Sequence, residues 1–282
     1  MNDFGGWISL CMVLLSPAYV LLSLVAILSR RIPFLKTLAS HGKTKEQSRV
    51  WWSWNVPKRY FTWFYIIGLM AATTIFYNTT KWPLSLTQTT LYIHLLRRLY
   101  ECLFVHKFRR ESEMHLAGCV LGIGHYIALP LVFTRIPTQS ELSFFYIICY
   151  LWNFWMQWEQ HIHHKILADM RQGPESTKRQ AYGLPPNRRW FRFCLCPHYL
   201  AEILIYASWA VLLAQQEDLP LSSSLDGTEG AAYKSILRFG LAQRHWFLLI
   251  WVSVNLTVSA WNSRHWYMQK FPNLTKPALF PW

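Results

Sequence analysis

Three groups of ionisable residues stand inside stretches that are otherwise apolar, and their spacing sets each group on one helical face. His94, Arg98 and Glu101 recur at i, i+4 and i+7, with Arg97 beside them. Gln160, His161, His163 and His164 run into Lys165 and then Arg171; Gln160, His164 and Arg171 fall near one face, as do His161, His164 and Ala168. His198 and Glu202 are one turn apart behind Pro197, a residue suited to the first turn of a helix. In apolar surroundings such side chains are costly and face a cavity or a partner. Guanidinium groups match phosphate bidentately, and imidazoles pass protons or hydrogen-bond. A carboxylate one turn from a histidine can share a proton with it or hold a ligand amide. Each group taken alone also fits plain helix packing. The first stripe reads as a charge-paired helix with snorkelling arginines, and Glu202 as one buried acid that neutralises unless it is paired.

Clustered histidines also invite a metal. The single cluster at 161–164 lacks the repeated histidine boxes of membrane di-iron oxygenases, and Cys194-Leu195-Cys196 alone offers too few ligands for zinc. No metal is expected. Nor is there a P-loop or a G-x-G-x-x-G after a strand, which excludes the soluble nucleotide folds.

The elements that position these residues follow from composition. The chain has 282 residues, 52% hydrophobic and 17% aromatic, with only 15% charged, against about 25% charged in a soluble domain. Lys+Arg 28 against Asp+Glu 14 leaves +14. The positive charge lies between apolar runs and not on a polar surface, so no nucleic-acid partner is expected. A helix crosses the hydrocarbon core in about 20 residues. Seven stretches qualify: 6–28, 60–79, 84–105, 114–134, 143–165, 199–215 and 241–262. The expected fold is an all-α integral membrane protein of seven transmembrane helices, one membrane domain over 1–282 in a lipid bilayer. Gly118, Gly122 and Gly124 read as small residues for close helix packing.

Lys and Arg concentrate in the first, third and fifth connections and in the C-terminal tail, which puts these on the cytosolic side, with the N-terminus lumenal and the C-terminus cytosolic. Asn78-Thr79-Thr80 is a glycosylation pattern on the expected lumenal side, close to the membrane. The cysteines sit in spans or face the reducing cytosol, so no disulfides are expected. The three ionisable groups then share the cytosolic side, which points to a pocket for a polyanionic cofactor opening inward to an apolar cavity. The expected cofactor loops are 29–59, 106–113, 166–198 and 263–282.

The motifs His41-Gly42-Lys43-Thr44-Lys45, Val56-Pro57-Lys58-Arg59-Tyr60-Phe61, His94-Leu95-Leu96-Arg97-Arg98-Leu99-Tyr100-Glu101, Met114-His115-Leu116, Gln160-His161, His164-Lys165-Ile166-Leu167-Ala168-Asp169-Met170-Arg171, Cys196-Pro197-His198-Tyr199-Leu200-Ala201-Glu202, Trp266-Tyr267 and Pro277-Ala278-Leu279-Phe280-Pro281 occur in this order from about residue 40 to the end. Together they resemble the steroid 5α-reductase family, and more closely its polyprenol reductase branch, which acts on the α-isoprene unit on the route to dolichol. The resemblance implies NADPH as hydride donor, seven spans, an endoplasmic-reticulum membrane and a long-chain polyprenoid substrate, in service of protein N-glycosylation. It also implies cofactor contacts at Arg98, Glu101, Gln160, His164, Arg171, Tyr182, His198, Tyr199, Glu202, Arg264, His265 and Tyr267. Steroid-reducing members carry Glu and Tyr at the positions of Asn55 and Leu95, so steroid reduction is not expected.

Hydride adds poorly to an isolated double bond and well to one conjugated with an aldehyde, where the developing charge moves onto oxygen. The polyprenal is therefore the expected substrate, with Asn55, Tyr60 and His94 as candidate oxygen donors or proton sources. A membrane methyltransferase of the isoprenylcysteine type is the nearest alternative, but its R-H-P-x-Y-x-G pattern meets Cys196-Pro197-His198-Tyr199-Leu200-Ala201-Glu202 here. A seven-helix transporter or receptor is the non-enzymatic one, and the chain has no internal repeat or paired helix breaks to support it.

Overall fold

The computed structural model describes residues 3–32, 54–79, 83–108, 112–134, 143–170, 183–214 and 243–279. A helix occupies each of the seven apolar stretches: α1 (Asp3–Leu28), α2 (Phe61–Thr79), α3 (Leu86–Tyr100), α4 (Leu116–Val132), α5 (Phe144–Asp169), α6 (Pro197–Ala214) and α7 (Arg244–Lys270). Local signals set several of the starts. Ser85 and Gln88 cap α3 reciprocally, each side chain accepting from the other's backbone N–H. His115 caps α4 by accepting from the Ala117 N–H at 3.1 Å.

The described fold is mostly helical, as expected, with one short ribbon added: Asn55–Pro57 (β1) pairs antiparallel with Glu113–His115 (β2), with Asn55 opposite His115. Pro57 holds the residue before it extended, and the ribbon ties the entry of α2 to the entry of α4. Further, 263–282 is not a loop throughout, because α7 runs to Lys270 and carries Arg264, His265 and Tyr267. It stops where Pro272 bars Phe271 from helical backbone; Phe271 has φ −130° and ψ 86°.

The helices pack in a ring, in the order α1, α7, α6, α5, α3, α2, α4 and back to α1, with α3 also reaching α6. Large apolar side chains fill much of the interior, among them Trp209, Phe76, Phe133, Leu91 and Leu95. Several polar groups buried there are paired between helices: Thr87 with Tyr150 at 2.8 Å, Trp209 Nε1 donating to Thr90 Oγ1 at 2.9 Å, and Asn153 Nδ2 donating to Ser208 Oγ at 2.7 Å. Outside, the large apolar side chains of α5 are exposed, including Phe144, Trp152, Trp155 and Trp158. A surface this apolar belongs against lipid. Among the described residues, Leu10–Leu28, Lys58–Thr79 and Pro197–Ala214 are long and apolar enough to cross a membrane by composition alone. α3 and α5 are less apolar because of polar residues such as His94, Asn153, Gln157 and Gln160, all of which are buried.

Gly122 and Gly124 on α4 differ in what a side chain would meet. A Cβ at Gly122 would stand 2.5 Å from Phe64 Cε2 on α2, whereas at Gly124 nothing lies within 4 Å. Gly122→Ala should therefore destabilise the protein by about 1–3 kcal/mol through overpacking. Gly124→Ala should leave the thermal midpoint in detergent unchanged or raised. Equal midpoints for the two variants would contradict the packing argument.

Candidate active site

α3 ends in a π turn, Glu101–Val105, closed by His106 N–H donating to Glu101 O at 2.7 Å. Such turns recur at functional sites because they reset the register of side chains beyond them. The Glu101 carboxylate is fully buried and takes four donors. Arg97 Nη1 reaches Oε1 at 2.6 Å and His161 Nδ1 at 3.0 Å; Arg98 Nη1 and His164 Nδ1, the latter at 2.7 Å, reach Oε2. Because a carboxylate only accepts, a histidine bonded to it donates through Nδ1; His164 Nδ1 also lies 2.8 Å from Arg98 Nη1.

Arg97 links this acid to a second one. Its Nη2 donates to Gln160 Oε1 and, at 3.3 Å, to His94 Nδ1, while its Nε faces Gln157 Oε1 at 3.4 Å. With Nδ1 accepting, the proton of neutral His94 sits on Nε2, which faces Glu202 Oε1 at 3.4 Å. Gln160 Nε2 donates to Glu202 as well. Arg98 lies over the Tyr65 ring at 5.1 Å, and its Nε is buried without an acceptor. His164 stands 5.6 Å from the ring of His198, which in turn stacks on Tyr199 at 4.2 Å.

The start of α6 is held from outside by the tail. Leu195 N–H donates to Pro277 O and Cys196 N–H to Ala278 O, both at 3.0 Å. Lys276 Nζ donates to Asn187 Oδ1 at 3.1 Å and to Phe191 O at 2.8 Å, and Arg264 Nε donates to Lys276 O at 2.9 Å. Leu195, Cys196, Ala260, Tyr267 and Leu279 form the apolar cluster beneath, with Tyr199 packed on it.

His94, Arg98, Glu101, Gln160, His164, His198 and Glu202 thus come together from three helices. Tyr199, Arg264 and Tyr267 belong to the adjoining tail cluster. His265 is on the exposed face of α7, where it pairs with Gln269 at 3.2 Å. Asn55 lies in the ribbon with its Oδ1 buried and without a hydrogen bond, and Tyr60 is 39% exposed in the turn before α2. Both precede α2, outside the cluster's hydrogen bonds, whereas His94 is about 10 Å back along α3 from Glu101 at 1.5 Å per residue. Arg171 and Tyr182 lie outside the described residues. Of the clustered histidines, His163 faces away, between Trp190 at 5.3 Å and Phe191 at 5.4 Å. On that side Glu159 pairs with Arg189 at 3.2 Å.

Sequence reasoning underrated Arg97 and missed Gln157 as members of the site. Arg97 stood out only as a flanking charge, and Gln157 is a neutral side chain one turn before His161 that no pattern marks. It also missed His125 on α4, a lone histidine in an apolar run, whose Nε2 is 3.2 Å from the Tyr206 hydroxyl.

The donor set decides what the site can hold. Glu101, His106 and His164 offer ligand atoms within 4.8 Å of one another, but two guanidiniums already bind both oxygens of Glu101, and a cation there would meet Arg97 and Arg98 at contact distance. Around the Cys194-Leu195-Cys196 stretch, burial pushes the Cys194 thiol up to about 11, which keeps it protonated and a poor metal ligand. A phosphate-bearing ligand with a carboxamide fits better. Arg98 retains a buried donor, and Gln160 with Glu202 present an amide beside a carboxylate, the complement of a carboxamide.

The family profile described as 3-oxo-5-alpha-steroid 4-dehydrogenase matches residues 120–219, which take in α5, most of α4 and all of α6. The chain is 29% identical over 222 residues to a polyprenal reductase of Saccharomyces cerevisiae, covering 77% of this chain and 69% of that one. It is 27% identical over 328 aligned residues to a polyprenal reductase of Caenorhabditis elegans, covering 100% of this chain and 94% of that one. A polyprenal reductase of Danio rerio is 29% identical over 215 residues, covering 61% and 69%. Family profile and relatives agree: over residues 120–219 the chain matches the profile of a steroid 5α-reductase family, and along most of its length it is similar to polyprenal reductases.

Proposed function

We propose that this chain reduces the α-isoprene double bond of polyprenal, with NADPH as the donor, on the way to dolichol for protein N-glycosylation. The observation that carries the reading is the paired-acid network on α3, α5 and α6, in a chain similar along most of its length to named polyprenal reductases. The setting we infer is a single domain of seven spans in the endoplasmic-reticulum membrane, N-terminus lumenal, with the cofactor entering from the cytosol.

When bound, the reduced nicotinamide supplies a hydride. The protein's own tasks are to bind, orient and exclude water. Glu202 and Gln160 would hold the carboxamide, Arg98 and Arg171 the phosphates, and His164 and His198 the sugar hydroxyls. Tyr182, Tyr199, Arg264, His265 and Tyr267 complete the inferred set around the tail. Glu101 acts by fixing both arginines and both histidines 161 and 164 in place. His94 takes Arg97 on Nδ1 and turns Nε2 to Glu202 at 3.4 Å, which suits it to orienting Glu202 more than to meeting substrate. Asn55 and Tyr60 would guide the head group.

The test uses protein in lipid nanodiscs with NADPH and either a medium-length polyprenal or a 3-oxo-Δ4 steroid, with product mass as the readout. The expected result is a gain of two hydrogens on the polyprenal alone. A gain on the steroid alone would move the chain to the steroid side of its family, and no gain on either would remove the reading.

A further inference from the structure

Beyond Glu202, toward the middle of the bundle, the ring interior holds a second polar group that the cofactor site does not use. Tyr206 is one turn further along α6, about 6 Å deeper at 1.5 Å per residue. Its hydroxyl meets His125 Nε2 of α4 at 3.2 Å. α4 and α6 are not neighbours in the ring, so this pair spans its interior. The ring of His94 meets Tyr206 edge-on at 6.3 Å, which connects the pair to Glu202. Tyr126 packs on His125 at 5.2 Å and on Tyr65 at 4.9 Å, and Tyr65 lies under Arg98.

Besides His94 Nε2, which faces Glu202 at 3.4 Å, two buried polar atoms here have no hydrogen bond among the described residues: His125 Nδ1 and the hydroxyl of Tyr19 on α1. Tyr19 is 3% exposed and within electrostatic reach of Tyr206. A buried polar atom left unpaired is costly, and these two face the same interior as the His125–Tyr206 bond. The chemistry that fits is a single small polar head on a long apolar body. His94 is turned to Arg97 through Nδ1 at 3.3 Å and to Glu202 through Nε2 at 3.4 Å, and Asn55 and Tyr60 precede α2. Tyr206 is the hydroxyl nearest beyond Glu202 on the same helix.

We propose that Tyr206, oriented by His125, donates a hydrogen bond to the carbonyl oxygen of the prenal head; this rests on the polyprenal reading above. His125 is the positioning residue. With Nε2–H donating to the phenol oxygen, the hydroxyl hydrogen is left for the ligand. As a hydride from the reduced nicotinamide forms the new C3–H bond, the C2–C3 π pair becomes the C1–C2 bond and the carbonyl pair moves onto oxygen. Tyr206 stabilises that enolate. A proton from water then adds to C2, the carbonyl re-forms, and the saturated aldehyde has gained one hydride and one proton.

The experiment reads the carbonyl directly. A medium-length polyprenal labelled with 13C at C1 is added to nanodisc protein without cofactor, and the C=O stretch is recorded by isotope-edited infrared difference. Wild type should lower the stretch relative to empty nanodiscs. Tyr206→Phe and His125→Leu should return it to the lipid value, and His125→Gln, which keeps a donor near Nε2, should restore the shift. In turnover, Tyr206→Phe should lower kcat by about 10²–10³, the usual loss for one oxyanion donor, with KM little changed. A wild-type stretch and kcat in both Tyr206→Phe and His125→Leu overturn the proposal and leave the polyprenal reading standing; so does wild-type protein that reduces polyprenal without shifting the stretch. A Tyr206-dependent shift in protein that never reduces polyprenal keeps the aldehyde site and sinks the parent reading. Should Tyr206→Phe fail to fold, the His125→Leu and His125→Gln pair decides by the same readout.

Discussion

Glu101→Leu should cost the protein most of its stability. Arg97, Arg98, His161 and His164 all terminate on this one carboxylate, so its removal strands two guanidiniums in a site where each is at most 14% exposed at the side chain. Breaking a buried pair from one side costs about 3–5 kcal/mol, against a total of about 5–15 kcal/mol for a typical protein. The measurement is monodisperse recovery and thermal midpoint in detergent. Replacing the charges together, Arg97→Leu with Arg98→Met and Glu101→Leu, should recover much of that midpoint without restoring turnover. A buried ion cluster exchanged for apolar side chains is often near neutral in stability, whereas the cofactor contacts assigned to Arg98 would be gone. A Glu101→Leu protein with a wild-type midpoint would show that the arginines have other acceptors and that Glu101 is not the hub described above.

Glu202→Gln is expected to do the reverse, keeping the fold and losing function. The side chain is isosteric: an amide oxygen in place of Oε2 still accepts from Gln160, and the NH2 takes the place of Oε1, which faces His94 Nε2 at 3.4 Å. What disappears is the charge. A hydrogen bond to a charged group contributes about 1.5–3 kcal/mol, so NADPH binding, read as quenching of tryptophan fluorescence, should weaken about ten- to hundredfold. Turnover at low cofactor should fall at least as far, and the thermal midpoint without cofactor should stay within a few degrees of wild type. Unchanged NADPH affinity in a folded Glu202→Gln protein would remove this residue from the site.

The helices were legible because each apolar run is long enough to declare itself, and capping residues such as Ser85 and Gln88 mark where one begins. The stripe at 94, 98 and 101 could be read because partners on one helix repeat at a fixed spacing. Contacts between helices leave no such trace. Glu202 meets His94 of α3 and Gln160 of α5, and nothing in the spacing forecasts those partners. His125 looks like an ordinary core histidine until Tyr206, 81 residues later, is seen across from it. The ribbon of Asn55–Pro57 with Glu113–His115 is too short for an alternating pattern to register. The overrun of α7 to Lys270 was hidden because polar residues at the end of an apolar helix look like a loop, although a helix continues there until proline stops it.

The most direct measurement is the position of the transferred hydride. Nanodisc protein is supplied with polyprenal and with NADPH deuterated at the transferring C4 position, and the product is analysed by mass spectrometry and NMR. Conjugate reduction predicts one deuterium at C3 of the saturated α-isoprene unit and a solvent-derived hydrogen at C2. Deuterium at C1 of an unsaturated prenol would instead mean direct reduction of the aldehyde and would contradict the account.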